Sequence, residues 1–275
     1  MLEGISYTDT KKLTAIIKER FNLDFSNYAM SSFRHRVSVA ISKFNLVSAD
    51  SLIEKLLNDS YMFDLFLKEV SIYTTEMFRD PSAWKYISET VLPKLASQNE
   101  KINIWLPECT SGEDIYTIAI ILKELGLTQK SNITASFISN SLMTSFSQGY
   151  EIKKMELNKS NYLRFNEKND FSEYYSISNY KAFMNSDLLK NVSIEKFLIA
   201  PMINPTMVNL IIYRNKLIFF NSILQFDVLT MLTNSLECGG FLFIGAKENI
   251  INPEMRKHYK VISEHERIYK RISKN

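Results

Sequence analysis

INIWLPECTSGEDIYTIAIILKELGLTQKSNITASFI, residues 102–138, is the stretch that decides the fold. Ile102-Asn103-Ile104-Trp105-Leu106 is a short apolar run suited to a buried strand. Asp114 to Leu125 reads as a strongly helical segment stopped at Gly126, and a second strand follows at Ile133 to Ile138. A strand, a helix and a strand within 37 residues form a right-handed crossover unit, so the two strands lie parallel in one sheet.

The same alternation returns downstream. Val208 to Ile212 reads as a buried strand, Ser222 to Leu236 as a helix and Gly240 to Ala246 as another strand; His258 to Ile272 fits a closing strand or hairpin. Between the two halves, Glu151 to Asn191 is polar and aromatic without a clear period, with Tyr162, Phe165, Phe171, Tyr174, Tyr175 and Tyr180 set among Asn, Lys and Glu. Such a composition suits a base-stacking surface. The favoured expectation is an irregular excursion packed on the sheet by its aromatics.

Upstream, the pattern is helical from Thr8 to about Lys68. Leu13, Ile16, Ile17 and Phe21, then Val37, Ala40, Ile41 and Phe44, then Leu52, Leu56 and Leu57, then Phe63, Phe66, Leu67 and Val70 recur at three- and four-residue spacing. Ser48 or Asp50 is the expected N-cap of one of these helices. No glycine or proline falls between Ile5 and Asp80. The expected organisation is an all-helical unit over 1–80, a linker helix within 81–98 and an α/β unit over 99–275.

Composition narrows the function. Apolar residues make up 45% and charged residues 23%, ordinary values for a globular chain. A formal net charge of +3 is too small to argue for nucleic acid. The longest apolar runs, such as Ile118 to Leu122, are far shorter than the ~20 residues of a bilayer span, and the N-terminus lacks the apolar core of a signal peptide. The expectation is a soluble, cytoplasmic protein with no membrane insertion. Two cysteines, Cys109 and Cys238, and three scattered histidines point to neither a disulfide framework nor a metal. Only 7 glycines are present, where average usage gives about 19.

Four segments carry candidate chemistry. Trp105-Leu106-Pro107-Glu108-Cys109-Thr110-Ser111-Gly112-Glu113-Asp114-Ile115-Tyr116 is a strand emptying into a turn that opens a helix, where backbone N–H groups face a ligand crevice. Gly112 lets the backbone approach a ligand, and Glu113 suits a cationic amine. Read alone, the segment is better explained by an ordinary turn with Thr110 or Ser111 capping the helix. Thr74 to Pro81 ends the helical region on Arg79, whose side chain can hold a carboxylate in bidentate fashion. Leu210 to Asn221 is a strand that leaves Arg214-Asn215 at its C-terminal tip, and Gly239 to Glu248 is a turn and strand near the end.

In this order the four segments resemble the CheR family of S-adenosylmethionine-dependent receptor methyltransferases, with its FFRD-type sequence, CSTGEEPYS-type loop, CRNVLIYF-type strand end and GG-(strand)-GxSE ending. The resemblance runs from about Phe25 to Ile272. It implies a class I methyltransferase fold, a Rossmann-like α/β architecture with a seven-stranded sheet behind an all-helical N-terminal domain. It also implies S-adenosylmethionine as cofactor, a chemotaxis signal-transduction role, and a receptor-like helical protein as partner, methylated on glutamate. Matching positions put Thr75, Arg79, Glu113 and Asn215 at the cofactor, and Arg34 and Arg36, flanking His35, on the helix that faces the partner.

Five positions depart from the family pattern. Phe137 stands where the family has the acid that accepts the ribose hydroxyls, Leu198 where an Asn lies beside the adenine, Glu108 at a small residue of the loop, Tyr73 at an Asn, and Lys216 at an apolar residue. Phenylalanine cannot accept those hydrogen bonds, and each unmet group forfeits roughly 1–3 kcal/mol. Two readings therefore stand side by side: methyl transfer with the cofactor in an altered pose, and a pseudo-methyltransferase that serves as a binding scaffold.

Overall fold

The structure is a computed structural model that describes residues 5–72, 76–196 and 207–272. Four helices open the chain: α1 (Tyr7–Phe21), α2 (Met30–Lys43), α3 (Ala49–Asn58) and α4 (Ser60–Val70). Side-chain oxygens satisfy the orphan N–H groups at three of their starts. Ser6 accepts from Asp9, Asp59 accepts from Tyr61 and Met62, and Ser48 with Ser51 forms a reciprocal capping box, which selects Ser48 over Asp50 as the cap. Of the apolar stripes read from the sequence, Leu13, Ile17, Val37, Leu52 and Phe66 turn inward and are buried, whereas Leu57 is exposed.

The linker is one helical rod in three pieces: α5 (Pro81–Tyr86), a π turn at Ile87–Val91 and α6 (Leu92–Gln98). Pro93 explains the π turn. It offers no N–H to the carbonyl four residues back, and its ring clashes there, so the coil widens just before it.

Next come β1 (Ile102–Cys109), α7 (Glu113–Glu124), β2 (Ser131–Phe137) and α8 (Asn140–Ser145). An insertion follows, made of β3 (Tyr150–Glu151), α9 (Ile152–Phe165), β4 (Tyr175–Ser178) and β5 (Lys181–Met184). The sheet resumes with β6 (Val192–Lys196), β7 (Val208–Tyr213), α10 (Ser222–Ser235), β8 (Leu236–Ile244), α11 (Pro253–Arg256), β9 (Tyr259–Ser263) and β10 (Ile268–Arg271).

The main sheet has seven strands in the order β6-β2-β1-β7-β8-β10-β9. Pairings among β6, β2, β1, β7 and β8 are parallel; β10 runs antiparallel to β8 and β9. The chain builds outward from β1 to one side and then restarts at β7 on the other. A crevice opens between such strands at their C-terminal ends, where open α/β sheets bind ligands. All six residues of β7 are buried, as a strand covered on both faces requires.

The middle segment corrects one expectation. Residues 151–191 are not an irregular excursion: they hold the 14-residue α9 and a three-stranded antiparallel sheet, β3-β5-β4. Its period was hidden because α9 buries two asparagines. Asn158 Oδ1 accepts from the Met77 N–H at 3.0 Å, and Asn161 Nδ2 donates to the Met77 carbonyl at 3.0 Å. Of the aromatics, Tyr162, Phe165, Phe171 and Tyr174 pack inward as expected, the first two about 5 Å from the ring of Phe78, whereas Tyr180 is exposed.

Candidate cofactor crevice

β1 ends in a bulge. Its pairing with β2 slips between Leu106 and Cys109, at Pro107, which has no N–H for a ladder, and at Glu108, whose φ is +52°. The chain then turns through Gly112, φ +85°, into α7. A Cβ on Gly112 would lie 2.7 Å from the ring of Phe146, so only glycine fits this turn. Neither Thr110 nor Ser111 caps α7, contrary to the sequence expectation: Gly112 occupies the cap position without a side-chain bond. The helix start is thereby left to its acids, Glu113 and Asp114.

Glu113 is fully buried and ion-paired to Lys154 of α9. Its Oε2 has no hydrogen-bond partner. Burial pushes its carboxyl above the ordinary range, and the Lys154 ammonium pulls it back part of the way. Asp114 is raised for the same first reason, opposed by the charges of Arg214, Lys216 and Arg79.

Arg214 and Lys216 come from the tip of β7, on the other side of β1 from β2, and Arg79 from just before α5. Arg214, at the tip of β7, is wholly buried between the rings of Trp84 and Phe243, 5.3 and 4.6 Å away. Its Nη1 donates to the Arg79 carbonyl at 2.9 Å and its Nη2 to Asp80 at 2.5 Å. Asn215 follows at φ +58°, its N–H donating to Glu248 Oε2 at 2.8 Å, its side-chain Nδ2 buried and unpartnered. Glu248 also accepts from Gly245, where a Cβ would lie 2.5 Å from Asn215 Oδ1. The turns after β7 and β8 are thus locked together by one carboxylate.

Arg79, Glu113 and Asn215 are linked through their neighbours: Arg214, which precedes Asn215, donates to the Arg79 carbonyl and lies 3.9 Å from Asp114, which follows Glu113. Thr75, Tyr73 and Leu198 lie outside the described residues. Arg34 and Arg36 part company. Arg34 donates from Nε and Nη2 to the Ile5 carbonyl at 3.0 and 2.8 Å, tying the chain start to α2. Arg36 lies 5.3 Å over the ring of Phe219, with buried Nε and Nη2 unpartnered.

The departures have structural partners of their own. Lys216 is buried and donates to the carbonyls of Pro107 and Glu108 at 2.6 and 2.7 Å. Glu108 accepts from the Tyr213 hydroxyl. Phe137 is fully buried against Phe146, ring centroids 5.3 Å apart. Lys154 and Lys216 are site residues that sequence reading left without a role or read only as a misfit. Tyr150 of β3 donates to the Ser111 carbonyl at 2.8 Å, and Lys154, in the first turn of α9, lies 5.4 Å over the Tyr150 ring and pairs with Glu113; no spacing in the sequence marked either contact.

A sheet of this order with a strand-end crevice bounded by an acid-first helix defines a class I S-adenosylmethionine-dependent methyltransferase fold. The chain belongs to the CheR methyltransferase family: the model of its SAM-binding domain matches residues 73–268, and that of its all-alpha domain residues 8–71. Among curated proteins, Cher3 of Pseudomonas putida, named as a methyltransferase, is 30% identical over 96% of each chain. A chemotaxis protein methyltransferase of Listeria monocytogenes is 26% identical over 87% of this chain and 89% of its own. One of Borreliella burgdorferi is 25% identical over 90% of each.

Tested against S-adenosylmethionine, the crevice fits at one end. The unpartnered Glu113 Oε2 and Asn215 Nδ2 are an acceptor and a donor suited to the cofactor's α-ammonium and α-carboxylate. At the end of β2 it does not fit, because buried Phe137 offers no acceptor to a ribose. The cavities next to the β1 turn measure only about 20 Å³ each, room for a single water.

Proposed function

We propose that this chain transfers a methyl group from S-adenosylmethionine to a glutamate carboxylate of a helical, chemoreceptor-like protein in the cytoplasm. The observation that carries the reading is the buried Glu113 carboxylate with one unpartnered oxygen at the start of α7. The cofactor supplies an electrophilic methyl on a sulfonium, and a carboxylate acceptor is already ionised at neutral pH, so no base is required. Glu113, Asn215 and Arg79, with Thr75, hold the amino-acid end. Positioning carries the rate. Arg36, with free guanidinium nitrogens against the β7–α10 turn, steers the incoming carboxylate.

Calorimetry of the purified chain with S-adenosylhomocysteine tests it. Micromolar binding is expected; no heat at millimolar ligand would sink the enzyme reading. A second reading, a scaffold that keeps the fold without catalysis, is favoured by Lys216 and Phe137, which fill the crevice with the protein's own side chains.

A further inference from the structure

A cleft of about 670 Å³ opens at the seam between the helical domain and the sheet, where α1 and α4 meet the turn from β2 into α8. It is within the usual range for small-molecule sites, and some thirtyfold larger than either cavity beside the β1 turn. Its floor holds the stacked rings of Phe21 and Phe63, centroids 3.6 Å apart at 10°. Asp64 of α4, Ile138 and Ser141 line its wall, and Lys196 closes it at the end of β6.

Asp64 brings a carboxylate to the end of β2, where Phe137 has none. Its Oδ1 accepts from the Asn140 N–H at 2.7 Å, and its Oδ2 from the Ser141 N–H at 2.7 Å and the Ser139 hydroxyl at 3.1 Å. The Ser141 side chain also hydrogen-bonds this carboxylate, so a ribose hydroxyl would take the place of one of the two serine hydroxyls rather than fill a vacant site. Burial raises the Asp64 carboxyl, but these donors outweigh it and hold the group below its ordinary range, ionised at neutral pH.

The cleft also leads to the amino-acid end. It shares Leu67 and Ile138 with the small cavity at Glu108, and that cavity shares Thr110 and Lys216 with the one under Gly112 and Glu113. The three form a file along the strand ends, roomy only at the seam.

We infer that the seam cleft takes the nucleoside of the cofactor, its ribose hydroxyls on Asp64 and its base against Phe21 and Phe63. The inference rests on the methyl-transfer reading. The helical domain then completes the cofactor site in place of the second strand.

The test is calorimetry of the full chain with S-adenosylhomocysteine, adenosine and methionine separately. Thr144→Trp fills the cleft from an exposed position whose hydroxyl bonds only carbonyls of its own helix, so the seam bonds survive. It should weaken S-adenosylhomocysteine and adenosine by about tenfold or more, leave methionine unaffected and keep the thermal midpoint. Asp64→Asn should weaken the same two ligands. Wild-type binding that both variants leave unchanged would overturn the inference while leaving methyl transfer standing. If the wild type binds no S-adenosylhomocysteine, methyl transfer fails and adenosine decides the cleft: binding abolished by Thr144→Trp keeps it, and no adenosine binding overturns it. Binding acquired only on Phe137→Asp would return the nucleoside to β2 and overturn it as well.

Discussion

The two ends of the strand-end crevice are built on opposite principles. Around Glu113, Asp114, Arg214 and Asn215 the protein buries charge and leaves polar atoms open. At the end of β2 it buries an aromatic pair, Phe137 on Phe146, whose rings carry no polar atom. An open buried polar atom costs roughly 1–3 kcal/mol, so the first end is maintained at the expense of stability, whereas the second contributes to it. The contrast teaches that the crevice holds unpartnered polar atoms at one end and is packed with the protein's own side chains at the other.

Arg214→Met should break the first end most severely. Removing the cation strands Asp80 and Asp114 and unties the linker from β7, an expected loss of about 4–5 kcal/mol in urea unfolding. Phe137→Ala tests the second end as packing: a loss of about 3–4 kcal/mol is expected, with methionine affinity unchanged. A loss below about 1 kcal/mol would show the ring to be dispensable filler. Lys154→Met leaves Glu113 buried without its cation, for about 3 kcal/mol, the low end because Lys154 keeps about a third of its side-chain surface in water. Its stability deficit should shrink as pH falls, since protonation relieves the unpaired carboxylate.

The smallest effect is a pH dependence at the seam. The folded carboxyl of Asp64 is held below its unfolded value, so its contribution is complete above about pH 4 and fades as pH falls through the folded value. Asp64→Asn should lose that part of the acid transition. Acid titrations of the two proteins that superimpose would place the seam's stability elsewhere.

The sheet was legible because its strands are short apolar runs flanked by clear helices: β1, α7 and β2 fall within three residues of their expected limits. The insertion was illegible because α9 turns Asn158 and Asn161 inward, so polarity no longer marks the outer face. At the site, Glu113 and Asn215 could be read from strand-end position, and Phe137 from the absence of an acid. Asp64 could not. It sits 73 residues before Phe137 in another domain, and only the docking of α4 on α8 sets it at the end of β2.

The scarcity of glycine has a consequence of its own. Among the described residues, ten non-glycine positions adopt positive φ against four glycines, and Asp80, Glu108 and Asn215 are among those around the strand ends. A side chain at such a turn costs about 1–2 kcal/mol in the native chain, yet it narrows the freedom of the unfolded one. Glu108 is at once the bend that ends β1 and the acceptor of the Tyr213 hydroxyl; Asn215 is at once the bend after β7 and a free amide. Divergence at these positions must satisfy backbone shape and side-chain chemistry in a single step, so the rim of the crevice is free to change only through the few residues, chiefly Asn and Asp, that tolerate both.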